Sequence, residues 1–290
     1  MKQRNKFILK AGDAQIRLGP KTCLMGIINM TPDSFSHDGC LTKPNDTHKK
    51  ALYQAKRFIR DGADILDIGG ESSRPGAKKI SIKEEKARVL PLIDTLAKTT
   101  KMPLSIDTYK PAVAKAALDK GATIVNNIMG VNADPTLLKM VREYKAAIVL
   151  MHTTGTPQTM QKNIHYKCLM DDIFNSLKNA VEKCLEIGIN SDRIIIDPGI
   201  GFGKTVEHNL QIINHCDQFK KLKKPILIGA SRKSFIGALL NQKENNRLIG
   251  SIASVCASVL NGAHIVRVHD VKATKEALTV TDAIANVKTI

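Results

Sequence analysis

Short runs of consecutive aliphatic residues recur along the whole chain, and longer segments with helical patterning separate them. Eight of these runs are predicted strands: residues 23–29, 64–68, 103–107, 122–126, 146–152, 193–197, 225–229 and 263–269. Their apolar positions are continuous and do not alternate with polar ones, which is typical of strands buried on both faces of a sheet.

The segments between these strands carry the signals that begin and end helices. Ser81 followed by Glu84 forms a capping box, and Pro111 suits the first position of a helix. Gly121 and Gly188 come after helical patterns, where glycine commonly ends a helix. Strands and helices therefore alternate, which predicts parallel strands joined by helical crossovers.

Eight strand–helix units favour an α/β fold of the (β/α)8 TIM-barrel type; an open, doubly wound sheet is the alternative. No shift in composition marks a domain boundary, so residues 1–290 are expected to form a single domain. The first 20 residues precede the first predicted strand. We expect them to form a short hairpin that closes the bottom of the barrel.

Composition places the chain among ordinary globular proteins, with 43% hydrophobic and 24% charged residues, and excludes disordered and fibrous classes. The formal net charge of +17 raises the possibility of a nucleic-acid-binding protein. The basic residues do not cluster, however, and no zinc-finger or RNA-recognition motif accompanies them. A solvated basic surface that attracts an anionic substrate is the interpretation that the charge favours.

A cytoplasmic location is expected from two features. The apolar stretch near the N-terminus is too short for a signal peptide, and no apolar run has the roughly 18 residues of a membrane-spanning helix. The six cysteines are scattered without a C-x-x-C pair, so we interpret them as free thiols.

Polar and charged residues follow the predicted strands. They are Asn29, Asp67, Asp107, Asn126, Asp197, Lys233, Arg267 and His269. Active sites of (β/α)8 barrels lie at the carboxyl ends of the strands, where these side chains would meet. The carboxylates and amides match a heterocyclic ring edge with N–H donors and acceptors, and the cationic side chains match an anion. The pattern predicts a site for a ligand with both parts.

Three loops extend this prediction. Residues 69–76 combine glycines with hydroxyl and guanidinium groups that suit phosphate oxygens. Residues 199–205 are glycine-rich, but Pro198 replaces a glycine of the P-loop motif and Lys204 replaces the third glycine of the dinucleotide fingerprint. We interpret them as a close approach of backbone to substrate. The polar loop 31–39, which contains Phe35, is expected to act as a lid.

Seven segments together resemble the dihydropteroate synthase family, in order and over nearly the whole chain. They are GIINMTPDSFS (26–36), DIGGESSRPG (67–76), SIDTYK (105–110), MHTTGTPQTM (151–160), DPGIGFGK (197–204), SRKS (231–234) and RVH (267–269). The resemblance implies a (β/α)8 barrel of folate biosynthesis. It further implies a transferase that joins 6-hydroxymethyl-7,8-dihydropterin pyrophosphate to 4-aminobenzoate, with Mg²⁺ as cofactor and pyrophosphate as the second product.

The resemblance also implies roles for individual residues. The pterin would contact Asp67, Asp107, Asn126, Met151, Asp197, Lys233 and Arg267. The pyrophosphate would contact Asn29, Ser73, Arg267 and His269, with Asn29 also a magnesium ligand. The aminobenzoate would contact Phe35, Ser73, Arg74, Pro75, Phe202, Ser231 and Lys233. The residues implied to act in catalysis are Asp107, Lys233, Arg267 and His269. Sulfonamides, which mimic aminobenzoate, would compete for its subsite.

Members of the family are usually homodimers, and the apolar stretch 249–260 is either a subunit contact or a core helix. Ser73 stands where threonine is usual, which keeps the hydroxyl and loses a methyl group. Two other functions agree with parts of the sequence pattern. A methyltetrahydrofolate-dependent corrinoid methyltransferase shares the pterin residues but has no use for a pyrophosphate clamp or a lid, and a basic RNA-binding protein would use only the charge.

Overall fold

The structure, a computed structural model, describes residues 4–31, 44–72, 76–155, 159–161, 164–242 and 246–287. An antiparallel hairpin comes first, formed by β1 (Phe7–Ala11) and β2 (Ala14–Leu18). Eight further strands follow in one sheet: β3 (Cys23–Asn29), β4 (Ile65–Gly69), β5 (Leu104–Asp107), β6 (Ile124–Asn127), β7 (Ala147–Met151), β8 (Ile194–Asp197), β9 (Leu227–Ile228) and β10 (Ile265–Val268).

The sheet curls into a barrel in the order β8-β7-β6-β5-β4-β3-β10-β9, and every neighbouring pair is parallel. A parallel bridge between Ile196 and Ile226 joins β8 to the residue before β9 and closes the circle. The (β/α)8 barrel is thereby confirmed, and the open doubly wound sheet is wrong. The predicted strand 225–229 shrinks to two paired residues, Leu227 and Ile228.

The helices surround the barrel in the predicted alternation. The described residues contain α1 (Pro44–Arg60), α2 (Ile82–Thr99), α3 (Pro111–Asp119), α4 (Pro135–Glu143), α5 (Leu169–Glu186), α6 (Val206–Asn214), α7 (Ser234–Leu240), α8 (Leu248–Leu260) and α9 (Val271–Asn286). Ser81 caps α2 by accepting a hydrogen bond from the Glu84 N–H, and Pro111 occupies the first turn of α3. Both predicted helix starts are confirmed, although the Glu84 carboxylate accepts from Arg88 Nη2 and, of the capping box, the structure shows only the bond to Ser81.

The N-terminal hairpin covers the amino-terminal end of the barrel. Leu9, Ala11 and Leu18 are buried in one cluster with residues of the strands, among them Met25 and Ile65. This cluster fills the end of the barrel opposite the carboxyl ends of the strands, as predicted.

Among the described residues, no helix has both the length and the apolar content needed to cross a bilayer. The thiols of Cys23, Cys168, Cys184, Cys216 and Cys256 are free, and Cys40 lies outside the described ranges. Most of the predicted lid, including Phe35, lies outside them as well.

Candidate active site

Parallel pairing brings several polar strand ends to one level. Asn29 is the register partner of Gly69, Gly69 of Asp107, and Asp107 of Asn126. The strand ends that carry Asn29, Asp107 and Asn126 therefore lie side by side at one height of the barrel.

The Arg267 guanidinium lies between two carboxylates inside the barrel mouth. Its Nε donates to Asp67 Oδ2 and its Nη2 to Asp107 Oδ2, each at 2.6 Å. Asn126 Nδ2 donates to the same Asp67 oxygen at 3.0 Å. Asp67 is fully buried, and its Oδ1 has no hydrogen-bond partner in the described part of the chain. Four predicted site residues thus form one network with an unused acceptor.

Burial and mutual charge shift the pKa values in this network. Burial raises the pKa of the Asp107 carboxyl to about 7; the Arg267 charge opposes this shift, and the Asp67 charge adds to it. Burial alone would lower the pKa of the Arg267 guanidinium, but Asp67 and Asp107 together raise it. The arginine therefore stays charged while Asp107 titrates near neutral pH.

Asp197 forms the next acidic position, at the end of β8. Its Oδ1 accepts a hydrogen bond of 2.7 Å from the Gly199 N–H, and the residue is 6% exposed. Burial raises the pKa of its carboxyl to about 6, although the Gly199 hydrogen bond and the charge of Lys233 act in the opposite direction. Met151, its register partner, ends β7 and is also buried.

The glycine-rich turn after β8 owes its composition to contacts within the protein. Gly199 and Gly203 have φ angles of +75° and +61°. A Cβ atom on Gly199 would overlap the His152 carbonyl oxygen, and one on Gly203 would overlap Thr154 Oγ1. At these two glycines the backbone therefore approaches the segment after β7, whereas the sequence predicted an approach to substrate. The reason is that the loops after β7 and β8 pack against each other.

Lys204, to which the sequence assigned no role, is a buried member of the site. Its Nζ donates to the Phe202 carbonyl at 2.9 Å and lies 3.0 Å from His152 Nδ1. Burial lowers the pKa of Lys204 to about 7 and, with the Lys204 charge, lowers that of His152 to about 3. His152 is neutral as a result and can accept from Lys204. The sequence signal was only the position of Lys204 directly after the glycines.

An apolar wall stands beside the acidic residues. Its buried members are Ile128, Met151, Met160 and Phe202. Lys233 Nζ lies over the Phe202 ring, so a cation and an aromatic face meet at this edge of the site. A flat heterocycle fits such a combination, because its faces contact apolar side chains and its edge meets polar ones.

Ser231 and His269, which follow β9 and β10, contact each other. Ser231 Oγ lies 3.1 Å from His269 Nδ1 and accepts from the His269 N–H at 3.2 Å. Arg232 and Asp270, the next residues in each segment, form a two-point ion pair at 3.0 and 2.6 Å. These bonds hold the two strand ends together.

The remaining predicted site residues have different outcomes. Ser73, Arg74 and Pro75 lie outside the described residues, and their roles remain predictions. Asn29 is half-buried at the end of β3. Within the described ranges, no group of three or more His, Cys, Asp or Glu side chains is arranged to hold a metal ion.

Comparison with protein families gives a match that extends along the barrel. The model described as pterin binding enzyme matches residues 25–269. The matched range begins in β3 and ends at His269, so it contains most of β3, the other seven strands of the barrel and the whole network described above.

Three relatives illustrate the similarity. The dihydropteroate synthase of Synechocystis sp. is 42% identical over 277 residues, which are 95% of this chain and 94% of that protein. The structure of Xanthomonas albilineans dihydropteroate synthase with 4-aminobenzoic acid has a TM-score of 0.89 and 37% identity, covering 98% of this chain and 100% of the other. That of the Burkholderia cenocepacia enzyme with 7,8-dihydropteroate has a TM-score of 0.84 and 37% identity, covering 96% of each chain.

Proposed function

The chain belongs to the dihydropteroate synthases of the pterin-binding enzyme family, and we propose that its barrel mouth joins 6-hydroxymethyl-7,8-dihydropterin pyrophosphate to 4-aminobenzoate. The products are 7,8-dihydropteroate and pyrophosphate, which makes the protein a transferase of folate biosynthesis. The observation that carries the proposal is the Arg267 guanidinium held between two carboxylates inside a barrel of this family.

The pterin half of the substrate would lie on the acidic residues and the apolar wall. The Asp197 carboxylate, already bonded to one backbone N–H, can accept further bonds from ring N–H groups. Asn126 offers both a donor and an acceptor, and the unused Oδ1 of Asp67 can take a donor. Met151 and the rest of the apolar wall suit the ring faces.

The leaving-group half would lie on the basic side of the mouth. Arg267 lies in β10 and His269 directly follows this strand. Lys233 follows the neighbouring strand, β9. Departure of pyrophosphate increases negative charge on its oxygens, and pre-placed cations stabilise that charge without reorganisation. We assign Arg267 and His269 to this role, together with Asn29 and Ser73.

The implied magnesium ion fits the donors that the chain offers. Mg²⁺ commonly takes one or two protein oxygens and completes its shell with water and substrate phosphate oxygens, so the absence of a three-ligand cluster among the described residues is compatible with it. The Asn29 side-chain oxygen, at the end of β3, would hold the ion. When bound, Mg²⁺ supplies positive charge that makes pyrophosphate a better leaving group.

The reaction needs no protein nucleophile. The bond between the exocyclic pterin carbon and the pyrophosphate oxygen breaks, and its electron pair leaves with pyrophosphate. The Asp107 carboxylate, in its ionised form, stabilises the positive charge that develops on the pterin. The neutral amine of aminobenzoate attacks this carbon, and its surplus proton passes to water.

The second substrate would lie at the edge where Lys233 covers the Phe202 ring, with Ser231 two residues before Lys233 on the chain. Lys233 can pair with a carboxylate while the Phe202 ring covers an aromatic face. Phe35, Ser73, Arg74 and Pro75 are assigned to the same subsite from the family resemblance. Sulfonamides would bind here, and the related Yersinia pestis structure was determined as a complex with a sulfonamide drug.

A single domain and a cytoplasmic location, both expected from the sequence patterns, and a homodimer, expected from the family resemblance, complete the proposal. The dimer has one structural support: Ile249 at the start of α8 is 75% exposed, while Val255 and Val259 of the same helix are buried. The helix therefore has a core face and an uncovered apolar position.

The corrinoid methyltransferase and the RNA-binding protein have no support among these relatives. All three are dihydropteroate synthases, and each matches this chain over nearly its full length. The test is direct. Protein, dihydropterin pyrophosphate, aminobenzoate and Mg²⁺ should give dihydropteroate by mass spectrometry, and omitting aminobenzoate should abolish it. No product with any divalent metal would refute the proposal.

A further inference from the structure

Lys204 and His152 form a buried pair that has no part in the reaction proposed above. They are 4% and 6% exposed, and Lys204 Nζ lies 3.0 Å from His152 Nδ1. A lysine amine is costly to bury, because it gives up its hydration. Two acceptors offset this cost, the His152 ring nitrogen and the Phe202 carbonyl oxygen at 2.9 Å. The reason for burying Lys204 therefore lies in what these two bonds hold together.

Phe202 lies in a stretch of backbone with much conformational freedom. Gly201 and Gly203 flank it, with φ angles of +81° and +61°, and glycine populates this region without the steric cost that other residues have. The Phe202 ring nevertheless needs a defined position, because Lys233 Nζ lies over its face. Contacts with other parts of the protein have to fix this stretch.

Two side chains bind neighbouring carbonyl oxygens of this stretch. The Tyr166 hydroxyl donates to the Gly203 carbonyl at 2.9 Å, and Lys204 Nζ donates to the Phe202 carbonyl at 2.9 Å. The lysine bond is the more deeply buried of the two, and it acts on the residue that carries the ring. Because Lys204 also contacts His152, it connects the Phe202 backbone to the loop after β7.

His152 is the fixed end of this connection. Its N–H donates to the Asp197 carbonyl oxygen at 2.8 Å, which extends the pairing of β7 with β8 by one residue beyond Met151 and Asp197. Its ring also packs near the Tyr166 ring, at a centroid distance of 6.0 Å. The bonds from Lys204 therefore relate the Phe202 backbone to the strand end that carries Asp197.

The proposed function assigns Asp197 to the pterin and Phe202 to aminobenzoate, and this inference rests on that assignment. We propose that Lys204 is a positioning residue: bound to His152, it holds the Phe202 carbonyl oxygen and thereby fixes the Phe202 ring relative to Asp197 and Lys233. Lys204 acts on aminobenzoate through the ring and contacts neither substrate.

Lys204→Met tests this role at pH 8. Methionine keeps an unbranched, flexible side chain but cannot donate. Burial lowers the pKa of Lys204 to about 7, so the amine is mainly neutral at pH 8 and the substitution removes hydrogen bonds with little change in charge. The KM for aminobenzoate should rise about three- to tenfold, as for loss of the ring contact, while the KM for dihydropterin pyrophosphate changes less than about twofold.

A double-mutant cycle shows whether Lys204 acts through the ring. If it does, Lys204→Met should change the KM for aminobenzoate less than about twofold when Phe202 is already leucine. A general loosening of the barrel mouth would instead multiply with the effect of Phe202→Leu. Multiplying effects in the double variant would therefore contradict the positioning role.

Lys224 offers a matched control, because it is a buried lysine at the opposite end of the barrel. It is 5% exposed, burial lowers its pKa, and its Nζ donates to Ser191 Oγ. Lys224 precedes β9 and Ser191 precedes β8, so the pair lies at the amino-terminal ends of the strands. Lys224→Met removes a buried amine far from the site, and both KM values should stay within about twofold of wild type.

Circular dichroism and thermal unfolding report whether each variant folds. If Lys204→Met does not fold, Lys204→Gln replaces it in the kinetics and in the cycle. Its amide nitrogen is one bond closer to the backbone than the lysine amine, so the bond to the Phe202 carbonyl is lost or lengthened. The same split between the two KM values is expected.

The outcomes separate the two proposals. A wild-type protein that makes no dihydropteroate refutes the proposed function, and the positioning role falls with it. An active wild type whose folded Lys204 variants raise both KM values equally, or neither, refutes the positioning role alone. A selective rise in the KM for aminobenzoate that disappears in the Phe202→Leu background, with normal kinetics in Lys224→Met, supports it.

Discussion

Lys233 Nζ lies 4.0 Å from the centroid of the Phe202 ring. The two residues come from different loops, because Phe202 belongs to the turn after β8 and Lys233 precedes α7 after β9. Gly201 makes room for the contact, since a Cβ atom there would lie 2.9 Å from Lys233 Cδ. Cation and ring form one surface, on which an aromatic carboxylate has both a stacking face and a counter-ion.

Replacing the ring should therefore weaken aminobenzoate binding. Phe202→Leu keeps an apolar side chain but loses the contact with the cation, and the KM for aminobenzoate should rise about three- to tenfold. Phe202→Tyr keeps the ring and should stay within about twofold of wild type. Steady-state kinetics with saturating pterin substrate measures both. Equal effects of the two substitutions would show that the ring face does not matter.

Asp197→Asn should weaken pterin binding. The amide can keep the bond from the Gly199 N–H, but it places a donor where ring N–H groups need an acceptor. An unmet buried polar group costs roughly 1–3 kcal/mol, so the affinity for a non-phosphorylated pterin should fall at least about tenfold. Isothermal titration calorimetry measures this. Normal affinity would mean that the ring edge binds elsewhere.

The same substitution should stabilise the free protein, with a defined pH dependence. The folded protein raises the pKa of Asp197 from 3.8 to about 6, so folding becomes less favourable as pH rises through this range and the unfolded chain ionises first. Above pH 6 the full cost is roughly 3 kcal/mol, which Asp197→Asn removes. Urea unfolding should show a gain at pH 8 that disappears near pH 3. A gain that is larger in acid would contradict this origin.

Catalytic efficiency should fall in mild acid. The proposed roles of Asp107 and Asp197 require ionised carboxylates, and burial raises their pKa values to about 7 and about 6. The value of kcat/KM should therefore rise with pH between about 5.5 and 7.5, with apparent pKa values that belong to the interacting carboxylates together. A non-phosphorylated pterin, titrated over the same range, separates this effect from ionisation of pyrophosphate. A flat profile from pH 5 to 8 would be inconsistent with it.

Arg267→Lys should impair turnover more than pterin binding. Lysine keeps the positive charge but cannot bond Asp67 and Asp107 simultaneously through a planar guanidinium. We expect kcat to fall about 10²-fold, because the leaving-group charge grows in the transition state. Affinity for a non-phosphorylated pterin should change less than about threefold. The opposite ranking would mean that Arg267 acts mainly on the pterin ring and little on the leaving group.

The sequence patterns predicted the order of strands and helices. They also predicted that the polar residues at the ends of the strands would lie at the same height in the barrel. Continuous aliphatic runs predict buried parallel strands, and parallel pairing alone then brings Asn29, Asp107 and Asn126 together. The extent of β9 did not follow. Its run spans 225–229, but the ladder ends at Ile228, and Arg232 then takes a positive φ of +57° in the turn before α7.

Side-chain partners distant in the sequence were outside the reach of these patterns. Lys204 and His152 are 52 positions apart, and nothing near either residue indicates the other. Lys110 and Glu71, which are 39 positions apart, are equally ordinary charged residues in the sequence. Their pairing depends on how two loops pack above the barrel, and only the three-dimensional structure gives that.

The N-terminal hairpin has a consequence for the movement of ligands. Leu9, Ala11 and Leu18 fill the amino-terminal end of the barrel, so the strand ends are reached from the opposite side. Both substrates enter there, and dihydropteroate and pyrophosphate must leave by the same route. A bound product therefore blocks the next pterin substrate directly, and dihydropteroate should act as a competitive inhibitor toward it. The rate of product release from the barrel mouth is then an upper limit on kcat.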